Sequence, residues 1–169
     1  MTTTLVSVNT YTHTVAYVTD KLLSSVKRII TWSGLDPTKY AANWSLVEGG
    51  IKTWLQSQHL VAVVLEVSNP TNGQLVGRWD FDIAYTSGNA DDGEFWVDTD
   101  AIKHAIRKQG LLPASCPYQL VVSNKPGAAS VPGWSFTTLL STEGFVRYSI
   151  GTTIGTNSLA TGVSYWRKS

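Results

Sequence analysis

The stretch that most constrains the fold is residues 60–67, LVAVVLEV, in which Glu66 alone interrupts a run of apolar side chains. Such a run is typical of a strand covered on both faces. A turn signal at residues 69–73 follows, and residues 75–85 then alternate between apolar and polar, which predicts a hairpin. Its second strand points Leu75, Trp79, Phe81, Ile83 and Tyr85 to one face, and Arg78, Asp80 and Asp82 to the other.

Two amphipathic helices precede this hairpin. Apolar residues recur at spacings of three and four over residues 11–29, and Gly34 suits the position after the helix end. Asp36 followed by Pro37 predicts the start of a second helix. Gly49 and Gly50 weaken that helix, so a kink is expected there. The apolar stripes are Tyr11, Val15, Val18, Leu22, Val26 and Ile29, then Tyr40, Trp44, Val47, Ile51 and Trp54.

A shorter third helix is capped by Asp98 or Thr99 and ends near Gln109, with Gly110 after it. A third strand follows at residues 118–123. The intervening helix lets the chain return to the free side of the first strand, so the sheet order is second, first, third. The third strand is therefore an edge, and the predicted class is α+β.

The C-terminal part differs in composition. Of residues 133–164, 18 of 32 are Ser, Thr, Asn or Gly, and only Glu143 and Arg147 are charged. Interspersed aromatic and aliphatic residues provide packing anchors, so the segment is not a plain linker. We expect it to lie on the sheet as irregular strands. A segment with few charges can also be buried in more than one position without a large desolvation cost.

Composition excludes several classes of function. The net charge of +1 argues against electrostatic nucleic-acid binding. Cys116 is the only cysteine, so no intramolecular disulfide forms, and no basic activator accompanies this thiol. The N-terminal residues do not form a secretory signal, and no apolar run reaches the length of a membrane span. A cytoplasmic protein is expected.

Few residues point to catalysis. Asp80 and Asp82 share one strand face, so a metal bridging them, as in a small metal-dependent transferase, is one alternative. Charges that keep an outer strand soluble explain the pair more simply. His13, His59 and His104 belong to no metal or nucleophile motif. No cofactor and no catalytic residue is therefore predicted, whereas the edge strand offers unpaired backbone groups to an extended peptide.

Several distinctive segments follow one another from about Tyr11 onward. They are YTHTVAYVTDKLL, SGLDPTKYAANW, GRWDFDI, FWVDTDAIKHAIRKQGLLP, SNKPGAASVPGW, STEGFVRYSIGTTIG and SYWRKS. In this order they resemble the bacterial HORMA domain family (family 1) of CBASS anti-phage operons. The resemblance implies a HORMA fold, with three helices on a three-stranded antiparallel sheet and a C-terminal safety belt.

The resemblance also implies a signalling adaptor, which is not an enzyme. Its closed form would trap a closure-motif peptide and activate a cGAS-like nucleotidyltransferase (CD-NTase) that makes a second messenger. An AAA+ ATPase of the pachytene-checkpoint type would reopen it by pulling on residues 1–10. Residues 11–132 would form the core and residues 133–169 the belt.

The residues that this scheme assigns fall into three groups. The peptide-binding edge is Tyr118, Gln119, Leu120, Val121, Val122 and Ser123; the belt is represented by Trp134, Phe145, Val146, Tyr148, Ile150, Tyr165 and Trp166; the ATPase would engage Thr2, Thr3, Thr4, Leu5 and Val6. A constitutive structural module with a static C-terminal layer remains a further interpretation.

Overall fold

The computed structural model describes residues 11–86 and 95–169. The predicted N-terminal ATPase-engaged segment and most of the acidic loop before residue 95 lie outside these residues. In chain order the elements are α1 (Tyr11–Trp32), α2 (Thr38–Ala42), α3 (Trp44–Gln56), β1 (Leu60–Ser68), β2 (Leu75–Tyr85), β3 (Trp96–Val97), α4 (Thr99–Gln109), β4 (Tyr118–Asn124), β5 (Phe145–Gly155) and β6 (Leu159–Lys168).

The helices follow the predicted patterns except in the region of the second helix. The apolar stripe of α1 is buried, and α4 begins where the Asp98 carboxylate accepts the Ala101 amide at 3.0 Å. The predicted single second helix is instead two helices, because Asn43 leaves helical geometry at φ −99° and ψ 8°. At Gly49 and Gly50, where a kink was expected, α3 continues as one uninterrupted helix.

The described strands form one antiparallel sheet in the order β3-β5-β6-β2-β1-β4. The predicted order of the three core strands, β2-β1-β4, is confirmed, and β4 is an edge. The C-terminal segment lies on the sheet as strands, as predicted: β5 and β6 form a long hairpin, β6 pairs with β2 from Arg78 to Tyr85, and the β5–β6 pairing has two irregularities of register. Although this hairpin contains bulges, its backbone is paired along nearly its whole length.

The core lies between the helices and one face of the sheet. Val63, Leu65, Trp79 and Phe81 from the central strands are at most 1% exposed there. On the opposite face, here called the outer face, Val64 and Glu66 are also buried. From Val63 to Val67, β1 is thus covered on both sides, as its sequence predicts, whereas Val61 is exposed. In the described part of the chain, no helix is long and apolar enough to cross a membrane.

Candidate functional site: the β4 edge and the C-terminal segment

One free edge of the sheet is formed by β4. The Ser68 amide donates to the Pro117 carbonyl at 3.0 Å, which marks these two residues as a bonded pair of the antiparallel ladder. Bonded pairs alternate along such a ladder, so Gln119 and Val121 also direct their backbone groups toward β1. The N–H and C=O groups of Tyr118, Leu120 and Val122 therefore point away from the sheet. No described strand pairs with them.

A groove of about 380 Å³ runs beside this edge. The first wall is formed by β4, and the second by residues of α2 and α3. The third wall is formed by residues 133–137, which follow β4 in the chain. Lining residues from the three walls include Lys39, Leu46, Leu120, Gly133, Trp134 and Phe136. An unpaired edge inside such a groove has the geometry needed to accept an extended chain as an added strand.

Tyr118 fixes one end of the groove. Its hydroxyl donates to the Asp36 carbonyl at 2.6 Å and accepts the Tyr40 amide at 3.3 Å. Burial raises the pKa of Tyr118, and burial together with the neighbouring Tyr118 raises the pKa of Tyr40. Both phenols are therefore neutral at physiological pH, and they contribute no charge to the groove.

Trp134 attaches the outer wall of the groove to α3. Its indole packs edge-on against Trp54, with ring centroids 5.1 Å apart, and its Nε1 donates to the Leu46 carbonyl at 3.3 Å. Gly50 makes this approach possible, because a Cβ on that residue would lie 2.7 Å from Cε2 of the indole. The Trp54 indole also donates to the Ala129 carbonyl at 2.8 Å. The contacts of Trp134 and the hydrogen bond to Ala129 thus hold the chain after β4 close to α3.

Beyond this attachment, the chain crosses the outer face at Glu66. This residue is 1% exposed, and its carboxylate accepts the Leu140 amide at 2.7 Å. It also accepts the side-chain amide of Gln119, on the edge strand, at 3.0 Å. Residues 133–144, here called the crossing segment, therefore pass around the β4 edge and across the sheet before β5 begins on its far side. Glu66 connects the edge strand to that segment.

The β5–β6 hairpin is fastened to β2 through Trp166. The Trp166 indole donates to Asp80 Oδ2 at 3.1 Å, and the Arg78 guanidinium lies 4.9 Å from the ring centroid. Arg78 also pairs with Asp80, at 2.7 Å from Nε to Oδ1. Arg147 of β5 lies 6.0 Å from the same ring and pairs with Asp82 at 2.8 Å. Each of the two strand aspartates is thus engaged by an arginine.

The residues assigned to the belt occupy different environments. Tyr165 is buried against Trp79, with ring centroids 5.3 Å apart, and Tyr148 stacks on Tyr165 at the same distance. Trp134 and Trp166 form the contacts described above. Val146 and Tyr148 are more than two-fifths exposed, whereas Phe145 and Ile150 are half-buried. Thr2, Thr3, Thr4, Leu5 and Val6 lie outside the described residues.

The geometry does not favour a metal at Asp80 and Asp82. Their carboxylates are bound by arginine and indole donors, and no group of three potential metal-ligating side chains occurs in residues 11–86 and 95–169. A second hollow, of about 510 Å³, lies on α4 between Asp98 and Arg107. Because all of its lining residues come from one helix and its N-cap, it does not enclose a ligand.

Sequence reasoning missed Glu66, Gly50 and Lys39. One signal for Glu66 was present, since a lone carboxylate in an apolar strand needs donors from elsewhere in the chain. Gly50 was noted only as a weak point of a helix. Its contact with Trp134 joins residues distant in the chain, and no local pattern indicates it.

The comparisons with known proteins agree with this architecture. No curated protein matches the chain. The chain resembles solved structures at low sequence identity, including one titled "Crystal Structure of Mitotic Checkpoint Complex" (TM-score 0.74, 10% identity, 92% of this chain and 99% of that chain covered). It is also similar to C. elegans HTP-1 bound to the HIM-3 closure motif (TM-score 0.69, 10% identity, 95% and 92% covered).

A bacterial structure, the E. coli MS115-1 HORMA:CdnC:Trip13 complex, matches with a TM-score of 0.60 and 9% identity, covering 97% of this chain and 94% of that chain. These likenesses support the HORMA fold. The model of Bacterial HORMA domain 2 matches residues 2–169, which confirms the predicted resemblance to bacterial HORMA domains, with family 2 as the family shown. The chain therefore belongs to the Bacterial HORMA domain 2 family.

Proposed function

We propose that this protein is a HORMA signalling adaptor of a CBASS anti-phage system, which captures a closure-motif peptide and activates a cGAS-like nucleotidyltransferase. The observation that carries the proposal is the outward-facing backbone of β4 enclosed by the crossing segment, with the C-terminal hairpin paired to the opposite side of the core strands. In this scheme residues 133–169 are the safety belt, and residues 118–123 are the edge to which the peptide is added.

The printed names of similar structures support the kinds of partner. One similar protein is bound to a closure motif, and another is in a complex with CdnC and Trip13. By analogy, we propose a nucleotidyltransferase and an AAA+ remodelling ATPase as partners of this chain. The ATPase would engage residues 1–10, and the adaptor itself would catalyse no reaction in the cytoplasm.

A peptide held in this groove would leave slowly. The crossing segment is held by Trp134 at α3 and by Glu66 on the outer face, so it covers the edge from outside. A peptide added to β4 would lie inside this loop, and its release would require the segment to detach. A ligand shifts such a two-state equilibrium only by its differential affinity, and about 5.5 kcal/mol converts a 1:99 ratio into 99:1.

The test uses the nucleotidyltransferase that we expect to be encoded beside this gene. We expect the purified proteins to form a complex on size-exclusion chromatography, and a captured peptide to increase nucleotide synthesis. Failure to form a complex, both with and without peptides selected for binding, would contradict the adaptor function. Titration with Mg²⁺ and Mn²⁺ by calorimetry tests the transferase alternative, for which specific binding heat is expected.

A further inference from the structure

We propose that the groove selects a peptide with an acidic side chain opposite Lys39 and, an even number of residues away, a large apolar side chain opposite Leu46 and Phe136. This inference rests on the proposed function, because it specifies the ligand of the same edge. It adds a chemical class to a site otherwise defined only by backbone pairing.

The spacing follows from strand geometry. Side chains of an added strand alternate between the two faces of the sheet. Those facing the helices lie beside Tyr118 and Leu120, which point to the same side. Lys39 precedes Tyr40, whose amide is bound by the Tyr118 hydroxyl, so it lies at the Tyr118 end of the groove. Positions separated by an even number of residues therefore share the helix-facing side.

The preference for an acid follows from the charges on the lining. Among the described residues that line the groove, Lys39 is the only one with a Lys, Arg, Asp, Glu or His side chain. Lys39 is also not a member of any ion pair found in the described part of the chain. The nearby Asp36 carboxylate does not line the groove, and its Oδ1 accepts both the amide and the hydroxyl of Thr38. A carboxylate on the peptide would complement this single cation, whereas a basic side chain would be repelled.

The preference for an apolar residue follows from exposed apolar side chains in the lining of the same groove. Phe136 is fully exposed, and Leu46 is 40% exposed. Both line the groove, on the crossing segment and on α3 respectively. A large apolar side chain placed between them would remove this surface from water, which favours its binding over that of a polar residue.

A display library of random ten-residue peptides tests the proposal. Selection on the wild-type protein is expected to enrich Asp or Glu at one position and large apolar residues at a position of the same parity. Selection on Lys39→Glu is expected to reverse the first preference to Lys or Arg and to keep the second. Lys27→Glu, the same charge change at an exposed position of α1 that does not line the groove, is the control and should select as the wild type does.

Binding of one selected peptide gives a quantitative check. Replacing its acid by the corresponding amide should weaken binding to the wild type about tenfold, as expected for one charge-assisted hydrogen bond in a partly exposed site. The same replacement should have little effect on binding to Lys39→Gln, and the difference between the two should shrink at high salt.

Two failures have different meanings. If the wild type selects no peptide, the peptide-binding function is refuted together with this inference. If peptides are selected without an acidic preference, or if Lys39→Glu leaves that preference unchanged, the function stands and the proposed ligand chemistry is refuted. Circular dichroism of each variant shows whether it has folded before selection.

Discussion

Replacement of Gly50 by alanine tests the attachment of the crossing segment, and Gly49→Ala is its matched control. The two glycines are adjacent in α3, so each substitution has a similar intrinsic effect on the helix, a gain of about 1 kcal/mol. They differ in their surroundings. Gly49 has nothing within 4 Å of an added Cβ, whereas at Gly50 that Cβ would lie 2.7 Å and 2.9 Å from two ring carbons of Trp134.

Because these distances are too short for carbon atoms, the indole of Trp134 must move. It would lose its edge-on contact with Trp54, worth about 0.5–1.5 kcal/mol, and part of the burial that is worth about 1.5–3 kcal/mol for a large apolar side chain. After subtraction of the helix gain, Gly50→Ala should be about 1–3 kcal/mol less stable than the wild type. Gly49→Ala should be up to about 1 kcal/mol more stable.

Thermal unfolding measures the difference. For a domain of this size, 1 kcal/mol corresponds to roughly 2–4 °C in Tm, so the two variants should differ by roughly 2–16 °C. In a Trp134→Ala background the clash is absent, and Gly50→Ala should then stabilise the protein as Gly49→Ala does. Equal Tm changes for the two single variants, or an unchanged effect of Gly50→Ala in the Trp134→Ala background, would refute this reasoning.

Three further substitutions test the remaining contacts. Glu66→Gln replaces one acceptor oxygen by an NH₂ donor, so we expect the free energy of unfolding, measured by chemical denaturation, to fall by about 1–3 kcal/mol. Hydrogen exchange at the Leu140 amide should become faster, and unchanged exchange would contradict the role of Glu66. Trp166→Phe keeps an aromatic ring but removes the N–H donor to Asp80, so the free energy of unfolding should fall by about 1 kcal/mol. Amide hydrogen exchange should become faster in β6 more than in β1, and equal acceleration in both strands would contradict a local role. Leu120→Pro removes an outward amide and should abolish capture of a selected peptide with the fold intact, whereas Leu120→Ala, which keeps the amide, should only weaken it; equal binding by both would refute strand addition.

Much of the local structure could be predicted because its causes lie close together in the chain. The stripe of α1, the Asp98 cap of α4 and the alternation of β2 each depend on residues a few positions apart. The interruption at Asn43 was not predicted, since its two flanking helices share one apolar stripe. Periodicity alone does not distinguish one helix from two consecutive ones.

The candidate site was predicted only in part. The edge position of β4 followed from the sheet order, which the structure confirms. The walls of the groove did not, because Lys39, Trp134 and Phe136 come from separate parts of the chain. The same holds for Asp80, which a strand pattern places on an outer face without indicating that Trp166 and Arg78 would bury it.

The sequence by itself determined most of the helical segments, the three core strands with their order, and the low charge of the C-terminal segment. Only the tertiary structure decided that the C-terminal hairpin pairs with β2, and that the opposite edge, β4, is enclosed by the crossing segment. The physical reason is that both outer strands of a three-stranded sheet offer the same unpaired N–H and C=O groups, so backbone pairing does not discriminate between them. The choice is made by side chains from distant positions, with Trp166 held at Asp80 on β2 and Trp134 held at Gly50 on α3.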